Sequence, residues 1–400
     1  MNFIKTIEDK FPIIKNDKIR DILFLIGLSL IVFVETMTTT MFDQDNYFPL
    51  YASLKLIAVL FISIKLFLFD FWTLKDVLIS LLFFSTGILV RLKTSYSEPF
   101  FWALLVLGAR NIEFKKILKV YICEVSLIVI IAFISSMLGV IENLQYVSSR
   151  GIRNSFGINY PCDFAAYIFF ILLSIFYLMK DKIAWWGYLF GLLIAYVLYK
   201  FTYARLDCSC IIILSLAFMF IKLLSPKLEG KLKVVRIILC LTIVIMFVLS
   251  ILLSYYYNPN IVWMQKLNNI FSARLALGKE AFSRLKVNFF GQFFLMVGNG
   301  GSTEPHANYF FLDNSFIYIL FRYGIVFELL IVSSFVISSY KRRCDLFFIA
   351  AIAIIAINAT TEEHLAFFQY NMFNMALFAC FAHDREKEKE ILQGENDIKV

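Results

Sequence analysis

The sequence predicts an all-α protein that crosses a membrane many times as a bundle of helices, and three observations lead to this prediction. Hydrophobic residues make up 60% of the 400-residue chain and charged residues only 17%, so a soluble domain could not cover that much apolar surface. The apolar residues fall into about twelve runs of roughly 20 residues, the length that a helix needs to cross a bilayer. One long polar segment, 258–313, interrupts the pattern late in the chain. We therefore expect a single membrane domain, 1–400, with one large external loop.

The predicted spans begin after a charged N-terminal segment that is too long before the first apolar run to be a signal peptide. The fourth and the last two runs are short, and tilted, broken or re-entrant helices would accommodate them. A polar tail, 383–400, follows the final run. In chain order the predicted spans are 22–42, 48–69, 75–90, 97–110, 117–141, 161–179, 183–200, 206–224, 236–257, 314–339, 346–359 and 369–382.

The distribution of Lys and Arg predicts the orientation. If the number of spans is even and both termini lie in the cytoplasm, the cytoplasmic segments hold about twice as many bases as the external ones, as the positive-inside rule requires. This arrangement places 258–313 outside and the tail inside, and it fits the cytoplasmic membrane of a bacterium. It also explains the net charge of +8 without a nucleic-acid partner.

Several arginines lie in the predicted external segments, although the positive-inside rule predicts few bases there. Arg150 and Arg153 precede a bend formed by Gly157 and Pro161, and Arg205 lies at the external mouth of the eighth span. The guanidinium group suits two-point contact with phosphate, so the pair before the bend could grip a pyrophosphate. Contact with lipid headgroups is the alternative for each of them.

The external loop is predicted to carry a short amphipathic helix. Arg274 and Lys286 flank its apolar stripe, and a helix of this kind lies flat at a membrane surface. The helix is either a plain structural element or a roof over an outward-facing cavity that presents Arg274 to an anionic headgroup. The stripe recurs at alternating steps of four and three, as one face of a helix does: Phe271, Leu275, Gly278, Phe282 and Leu285.

Two titratable residues close the loop just before the next predicted span. His306 and Asp313 follow a glycine-rich turn, 298–301, and Asn314 begins the span. Each of the two is a candidate general base, which must lie near the hydroxyl that it deprotonates. The alternative for Asp313 is a helix N-cap, and the alternative for His306 is an exposed loop histidine.

Charged residues inside the predicted spans are costly and therefore need partners. Glu35 and Lys55 each lie about 10 Å from the external ends of adjacent antiparallel helices, so we expect them to form a structural ion pair. Lys65, near the inner end of its span, is expected to extend its amine to the interface. Arg322 either lines an outward cavity or pairs with Glu328.

The cysteines favour structural thiols. Cys208 and Cys210 form a Cys-x-Cys pair at the mouth of a predicted helix, but no second pair and no pair of histidines accompanies them. A zinc site usually requires such a set of ligands, so we expect buried thiols that pack as small apolar side chains. Neither a metal nor another cofactor is expected.

One piece of the sequence resembles a motif of the O-antigen ligase and polymerase superfamily, and in particular of its capsule and exopolysaccharide repeat-unit polymerases. In that family an arginine precedes a Gly–aromatic–x–His–Pro–Asn pattern. Here Arg153 precedes 157–162, with Tyr160 in place of the usual His and Cys162 in place of the usual Asn. The number of spans and the late external loop are also similar to those of the family.

Three further pieces are similar to the same family. Its Ser–Arg at an outer helix mouth resembles Ala204 and Arg205, and its loop arginine before a short helix resembles Arg274. Its ending, an Asp–Asn–aromatic segment followed by Arg–Tyr–Gly–Ile, resembles 313–316 and 322–325. The resemblance implies an all-helical membrane fold related to the GT-C-type glycosyltransferases.

The resemblance also implies an activity. Both substrates would be glycans on polyprenyl pyrophosphate, and the growing chain would be moved onto the terminal sugar of a new repeat unit. Arginines would stabilise the leaving pyrophosphate, and a base would deprotonate the acceptor hydroxyl. The residues assigned to pyrophosphate binding are Arg150, Arg153, Arg205, Arg274 and Arg322. The residues assigned to catalysis are Asp313, as the first candidate base, His306, as the second, Arg205 and Arg274.

Two other functions fit the same sequence features. A glycan flippase or other transporter would also cross the membrane many times, although such proteins tend to have two matching halves and this chain is asymmetric. A ligase of the same superfamily would transfer the glycan to another acceptor. Besides the lipid-linked glycan and the bilayer, a flippase and a chain-length regulator are the partners that a polymerase would have.

Overall fold

The computed structural model describes residues 16–42, 47–148, 150–224, 233–303 and 308–381. These residues are mostly helical. The helices are α1 (Asp17–Met37), α2 (Phe48–Ile64), α3 (Leu74–Thr94), α4 (Glu98–Gly108), α5 (Phe114–Met137), α6 (Pro161–Met179), α7 (Trp185–Thr202), α8 (Arg205–Leu224), α9 (Lys233–Tyr255), α10 (Val262–Ile270), α11 (Arg274–Arg284), α12 (Ser315–Arg322), α13 (Ile325–Lys341) and α14 (Leu346–Asn358).

Six of the described helices are long and apolar enough to cross a membrane, by length and composition alone. They are α2 with its π-helical continuation to Phe69, α3, α5, α6, α8 and α9. Two shorter apolar helices, α4 and α14, accompany them. The predicted class, an all-α membrane protein, is confirmed at this level, and the number of about twelve spans stays a prediction.

Two predicted spans differ from the helices that the structure contains. The run 314–339 is divided at Gly324, whose φ of 90° ends α12 before α13 begins. In the run 369–382, the part that the structure describes, 369–381, contains only a short 3₁₀ helix, Met372–Leu377. Asn371 and Asn374 both donate side-chain hydrogen bonds to the Leu365 carbonyl, and such bonds compete with a continuous helix.

The connecting segments meet at the two ends of the bundle. At one end, which we call the loop end, Asn159 bonds to the Thr39 carbonyl, and the Tyr96 hydroxyl bonds to the Phe294 carbonyl in the 258–313 loop. At the opposite end Lys180 pairs with Asp345. The chain thus brings distant connections together at each end.

The centre of the bundle is formed by α6, α14 and the chain that follows α14. Nearly every residue of α14 is buried, whereas α3 and α9 expose long apolar faces, as helices that contact lipid do. Gly27 allows α1 and α2 to approach closely, because a Cβ atom there would come within 2.6 Å of Ile62 Cγ1. The exposed apolar faces and the packed interior together fit a helical membrane domain.

The charges predicted inside the spans do find partners. Lys55 Nζ lies 2.6 Å from Glu35 Oε1 across α1 and α2, so the predicted ion pair is confirmed. The Lys65 amine is not exposed: it is fully buried, 2.5 Å from Asp70 Oδ2 and 2.6 Å from the Arg110 carbonyl. A turn of chain after α2 covers its amine, which is why the interfacial position predicted for it is wrong.

The loop end carries a small β-hairpin that the all-α prediction did not include. Strand β1 (Gln145–Ser148) pairs antiparallel with β2 (Gly151–Asn154), and Tyr146 stands opposite Arg153. The Tyr146 hydroxyl donates to the carbonyls of Asn159 and Asn299. The hairpin therefore joins the segment before α6 to the glycine-rich turn of the external loop.

The short amphipathic helix predicted in the loop is α11. Its Leu275 and Gly278 are buried, and Gly278 lies directly against Ser254 of α9, where a side chain would clash. The apolar stripe thus packs on the bundle. This contact fixes the start of α11, and with it Arg274, at the loop end.

Candidate functional site

A cavity of about 200 Å³ opens at the loop end, between the start of α6, the 258–313 loop and the chain after α14. Its wall combines carboxylates, a histidine and two tyrosines with the glycine-rich turn. The Gly301 amide bonds to the Asn159 carbonyl, which holds that turn against the start of α6. The lining residues are Tyr160, Cys162, Asp163, Gly298, Asn299, Gly300, Tyr309, Phe311, Asp313, Glu362, Glu363 and His364.

Arg274 lies behind this cavity and joins two of its carboxylates. Its Nη2 is 3.1 Å from Asp313 Oδ2 and 3.6 Å from Glu362 Oε1. Its Nε donates to the Thr361 carbonyl at 3.1 Å. Burial, the largest single effect, lowers the pKa of Arg274. The nearby carboxylates of Asp313 and Glu362 together outweigh it, so the pKa of Arg274 is raised. The positive charge of Arg274 is therefore neutralised locally.

Asp313 is not the helix cap that its position allowed. Asn314 caps α12, because its side chain accepts from the amides of Phe316 and Ile317. Asp313 is thereby free to face Arg274 and the cavity. Burial raises the pKa of Asp313, and the nearby Arg274 opposes that rise.

Arg153 is held at the edge of the site by neutral groups. Its guanidinium donates to the Thr202 carbonyl at 2.9 Å, to the Tyr160 hydroxyl at 3.1 Å and to Cys162 Sγ at 3.1 Å. Strand β2 carries Arg153, while the end of α7 and the start of α6 carry these acceptors. Arg153 thus keeps its full positive charge while its direction is fixed.

Arg205 and Arg150 are also bound only by neutral groups. Arg205 Nη2 donates to Ser272 Oγ at 2.9 Å and to the Asn269 carbonyl at 3.2 Å, while its buried Nε has no hydrogen-bond partner in the described part of the chain. Arg150 donates to the Tyr203 carbonyl at 3.4 Å. None of the described carboxylates forms an ion pair with Arg150, Arg153 or Arg205.

The four arginines lie close together although they come from three parts of the fold: the β-hairpin, α8 and α11. Arg205 binds the hydroxyl of Ser272, and Arg274 binds its carbonyl at 3.1 Å. Burial lowers the pKa of Arg150, and the positive charges of Arg205 and Arg153 lower it further. Mutual repulsion of this kind indicates that unneutralised cations have been gathered at one place.

Arg322, the fifth predicted arginine, has a different setting. Its guanidinium lies 3.6 Å from the ring centroid of Tyr96 and 5.3 Å from that of Tyr318. It makes no ion pair with Glu328, whose two oxygens have no hydrogen-bond partner within the described ranges. The Arg322–Glu328 alternative is therefore wrong, and Arg322 is held mainly by aromatic rings.

His306 lies outside the described residues. The structure brings a different histidine to the cavity: His364 Nε2 is 3.5 Å from Asp163 Oδ1. Its ring packs on Tyr370 with 3.9 Å between ring centroids. A histidine beside a carboxylate is a common arrangement for proton transfer.

The acidic side of the cavity comes from a segment that the sequence interpretation passed over. Glu362, Glu363 and His364 stand in the short connection between the apolar runs 346–359 and 369–382. Three consecutive titratable residues in an otherwise apolar part of the chain were the signal that could have identified them. Burial raises the pKa of Glu362 well above its ordinary value, and the neighbouring Asp207 carboxylate adds to the rise.

Glu363 has a raised pKa for a similar reason. Burial is the largest cause, followed by the charges of Asp313 and Asp163. Its Oε2 has no hydrogen-bond partner among the residues that the structure describes. A carboxylate with a raised pKa that borders a cavity is a candidate proton acceptor.

Three side chains are close enough together to ligate a cation. Ligand atoms of Cys162, Asp207 and Glu362 all lie within 4.8 Å of one another. Arg153 contacts the thiol of Cys162, and Arg274 lies near the Glu362 carboxylate, so two guanidinium groups already supply positive charge there. The same three side chains also connect Arg153 to Arg274.

The fold and the site together define a class of protein. It is an all-α protein with helices able to cross a membrane and, at one end, a group of arginines beside a cavity lined with carboxylates. No family model, curated protein or solved structure matches the chain.

Proposed function

We propose that the protein is a membrane glycosyltransferase that polymerises oligosaccharide repeat units carried on polyprenyl pyrophosphate. The observation that carries the proposal is the group formed by Arg150, Arg153 and Arg205. These three cations lack a carboxylate partner among the described residues. Arg153 also contacts Tyr160 and Cys162, which line the cavity together with several carboxylates. Such a group suits an anion, and a diphosphate supplies two or more negative charges in a compact form.

The two halves of the site suit the two requirements of glycosyl transfer. In this reaction the acceptor hydroxyl oxygen bonds to the anomeric carbon of the donor, and the bond from that carbon to the diphosphate oxygen breaks. The departing diphosphate carries the bonding electrons, and Arg150, Arg153 and Arg205 stabilise its charge. The acceptor proton passes to a carboxylate of the cavity, for which Asp313 and Glu363 are the candidates.

Arg274 has a positioning role in this proposal. Its charge is taken up by Asp313 and Glu362, so it is less available to a substrate anion than Arg205. It fixes the direction of the Asp313 carboxylate instead. His364 with Asp163 provides a second route for the proton at the same cavity.

The membrane setting is part of the proposal. Further helices beyond the six, to a total of about twelve spans, would complete the membrane domain. The loop end would face outward from a bacterial cytoplasmic membrane, with both termini in the cytoplasm, as the positive-inside rule favours. The products would be capsular polysaccharide, exopolysaccharide or O-antigen.

Reconstitution tests the proposed reaction. Lipid-linked repeat units are extracted from a strain that lacks the gene and are incubated with the purified protein in liposomes, and the products are resolved on gels. We expect ladders of longer glycans with the wild-type protein. Arg205→Ala should lower the rate about 10²–10³-fold, as loss of one charge-stabilising donor does.

The matched control is Arg284→Ala. Arg284 lies at the other end of α11, is largely exposed and pairs with Glu280, so this variant should retain the wild-type rate. Equal polymer from wild type and Arg205→Ala would contradict the proposal. Movement of unchanged repeat units across the liposome membrane would favour a flippase, and transfer to a different acceptor would favour a ligase.

A further inference from the structure

A second basic cluster lies at the opposite end of the bundle, far along α9 from the candidate site. A cleft of about 410 Å³ separates the start of α9 from the end of α13. Lys233, Arg236 and Arg343 line it together with Tyr340. Nothing in the proposed reaction uses this cleft.

The bases of the cleft have no acidic partners among the described residues. Arg236 is half-buried, and its buried Nε has no hydrogen-bond partner in the described ranges. Arg343 donates only to the Tyr340 carbonyl, at 3.0 Å, and packs over the Tyr340 ring at 4.6 Å. A buried guanidinium nitrogen without an acceptor is unfavourable, so the cleft is suited to an anion.

The rest of the cleft is apolar and faces away from the packed interior. Ile237 and Leu241 of α9 are exposed, as is Tyr340 of α13, and Cys240 and Val336 complete the floor between them. A small inorganic anion would satisfy the bases but would leave this apolar surface uncovered. The ligand that fits both parts has an anionic head and apolar chains.

We infer that this cleft binds an anionic phospholipid. The phosphate lies among Lys233, Arg236 and Arg343, and the acyl chains follow Ile237 and Leu241 along α9. Basic pockets between membrane helices recognise anionic headgroups in this way. Because the cleft and the candidate site are at opposite ends, the inference holds whether or not the proposed function is correct.

The test uses the full-length protein, purified in detergent and stripped of lipid. Phosphatidylglycerol, phosphatidylcholine or inorganic phosphate is added, and retained lipid is measured by native mass spectrometry alongside the thermal unfolding midpoint. We expect phosphatidylglycerol alone to remain bound and to raise the midpoint. Equal effects of phosphatidylcholine, or an equal effect of free phosphate, would overturn the inference.

Paired variants locate the binding. Arg236→Gln with Arg343→Gln should weaken retention of phosphatidylglycerol about 30-fold, as expected when two bases near a lipid phosphate are lost. The control is Lys115→Gln with Lys119→Gln, since both lysines are exposed at the same end but outside the cleft, and retention should not change. If both double variants lose the same retention of phosphatidylglycerol, the lipid is held only by general attraction to the basic surface, which would contradict the inference. Lys233→Gln, an exposed position at the cleft, replaces the first pair if that pair does not fold, and unchanged retention would then contradict the inference.

Discussion

Arg274 and Arg205 both lie at the loop end, yet their surroundings differ in charge. Arg274 faces Asp313 and Glu362, whereas Arg205 is bound by the Ser272 hydroxyl and a carbonyl. Loss of a cation that neutralises buried carboxylates leaves them uncompensated. Loss of a cation bound by neutral groups leaves no charge behind. The two residues should therefore differ in their contributions to stability.

Arg274→Gln should lower the free energy of unfolding by about 3–5 kcal/mol, the usual cost of breaking a buried ion pair from one side. Arg205→Gln should lower it by about 1 kcal/mol, the usual contribution of a hydrogen bond. Thermal or denaturant unfolding of the purified protein in detergent measures both. Similar losses for the two variants would contradict the difference in local charge.

The raised pKa of Glu362 predicts how stability depends on pH. A carboxyl whose pKa is higher in the folded than in the unfolded protein holds its proton more tightly when folded. Stability therefore falls as pH rises from the ordinary pKa of 4.5 towards the raised value. Glu362→Gln, which cannot ionise at this position, should therefore lose less stability than the wild type between pH 4.5 and pH 7.

Unfolding midpoints at several pH values measure this effect. Glu142→Gln is the control, because Glu142 is exposed, and its pH dependence should match that of the wild type. If the stability of Glu362→Gln falls with pH as steeply as that of the wild type, another group is responsible for the pH dependence. Asp313 and Glu363, the other cavity carboxylates whose pKa is raised, would then be replaced in turn.

At the scale of elements, the break between α12 and α13 joins these two helices to the 258–313 loop. The amides of Ile325 and Val326 donate to the carbonyls of Asn288 and Phe289 in that loop. Gly324 permits this junction because its φ is positive and its α-carbon lies against the Gly291 backbone. A continuous helix over the run 314–339 would leave no amides available for the loop.

A strained backbone alone costs about 1–3 kcal/mol. Gly324→Ala should destabilise the protein by more than this, because the added methyl group would also meet the Gly291 amide. Gly139→Ala is the matched control: Gly139 has a φ of 72° and open space around its α-carbon. Thermal unfolding of the two variants measures the difference. Equal losses would mean that the contact with Gly291 contributes nothing.

At the scale of the whole molecule, the candidate site lies at one end of the bundle and the basic cleft at the other. The orientation in the membrane decides which of the two faces the cytoplasm. Cys344 is exposed at the opposite end, and Lys266 is exposed in the 258–313 loop. The positive-inside rule puts the loop end outside. Chemical labelling can therefore distinguish the two orientations.

Both test proteins lack the exposed Cys123. The first carries Lys266→Cys and also lacks Cys344, and a membrane-impermeant maleimide should label it on intact cells. The protein with native Cys344 alone should be labelled only after the cells are made permeable. The reverse pattern would place the candidate site in the cytoplasm, where the proposed substrates would not reach it.

The sequence by itself determined the class of the protein, the amphipathic helix α11 and the ion pair between Glu35 and Lys55. Apolar run length, helical periodicity and the cost of a charge in a bilayer are local properties, so each can be recognised from the order of residues. It also identified most of the arginines at the loop end, because their positions conflicted with the expected distribution of charge.

Only the tertiary structure decided how those arginines are used. Arg274 meets the Thr361 carbonyl across 87 residues of sequence, and no periodic pattern specifies such a contact. Whether an arginine is neutralised, as Arg274 is, or lacks a carboxylate partner, as Arg205 does within the described residues, depends on which distant carboxylates reach it. The same dependence on long-range packing brought His364 to the cavity and gave Lys65 a buried partner, because the charge state of a site is set by all its neighbours in space.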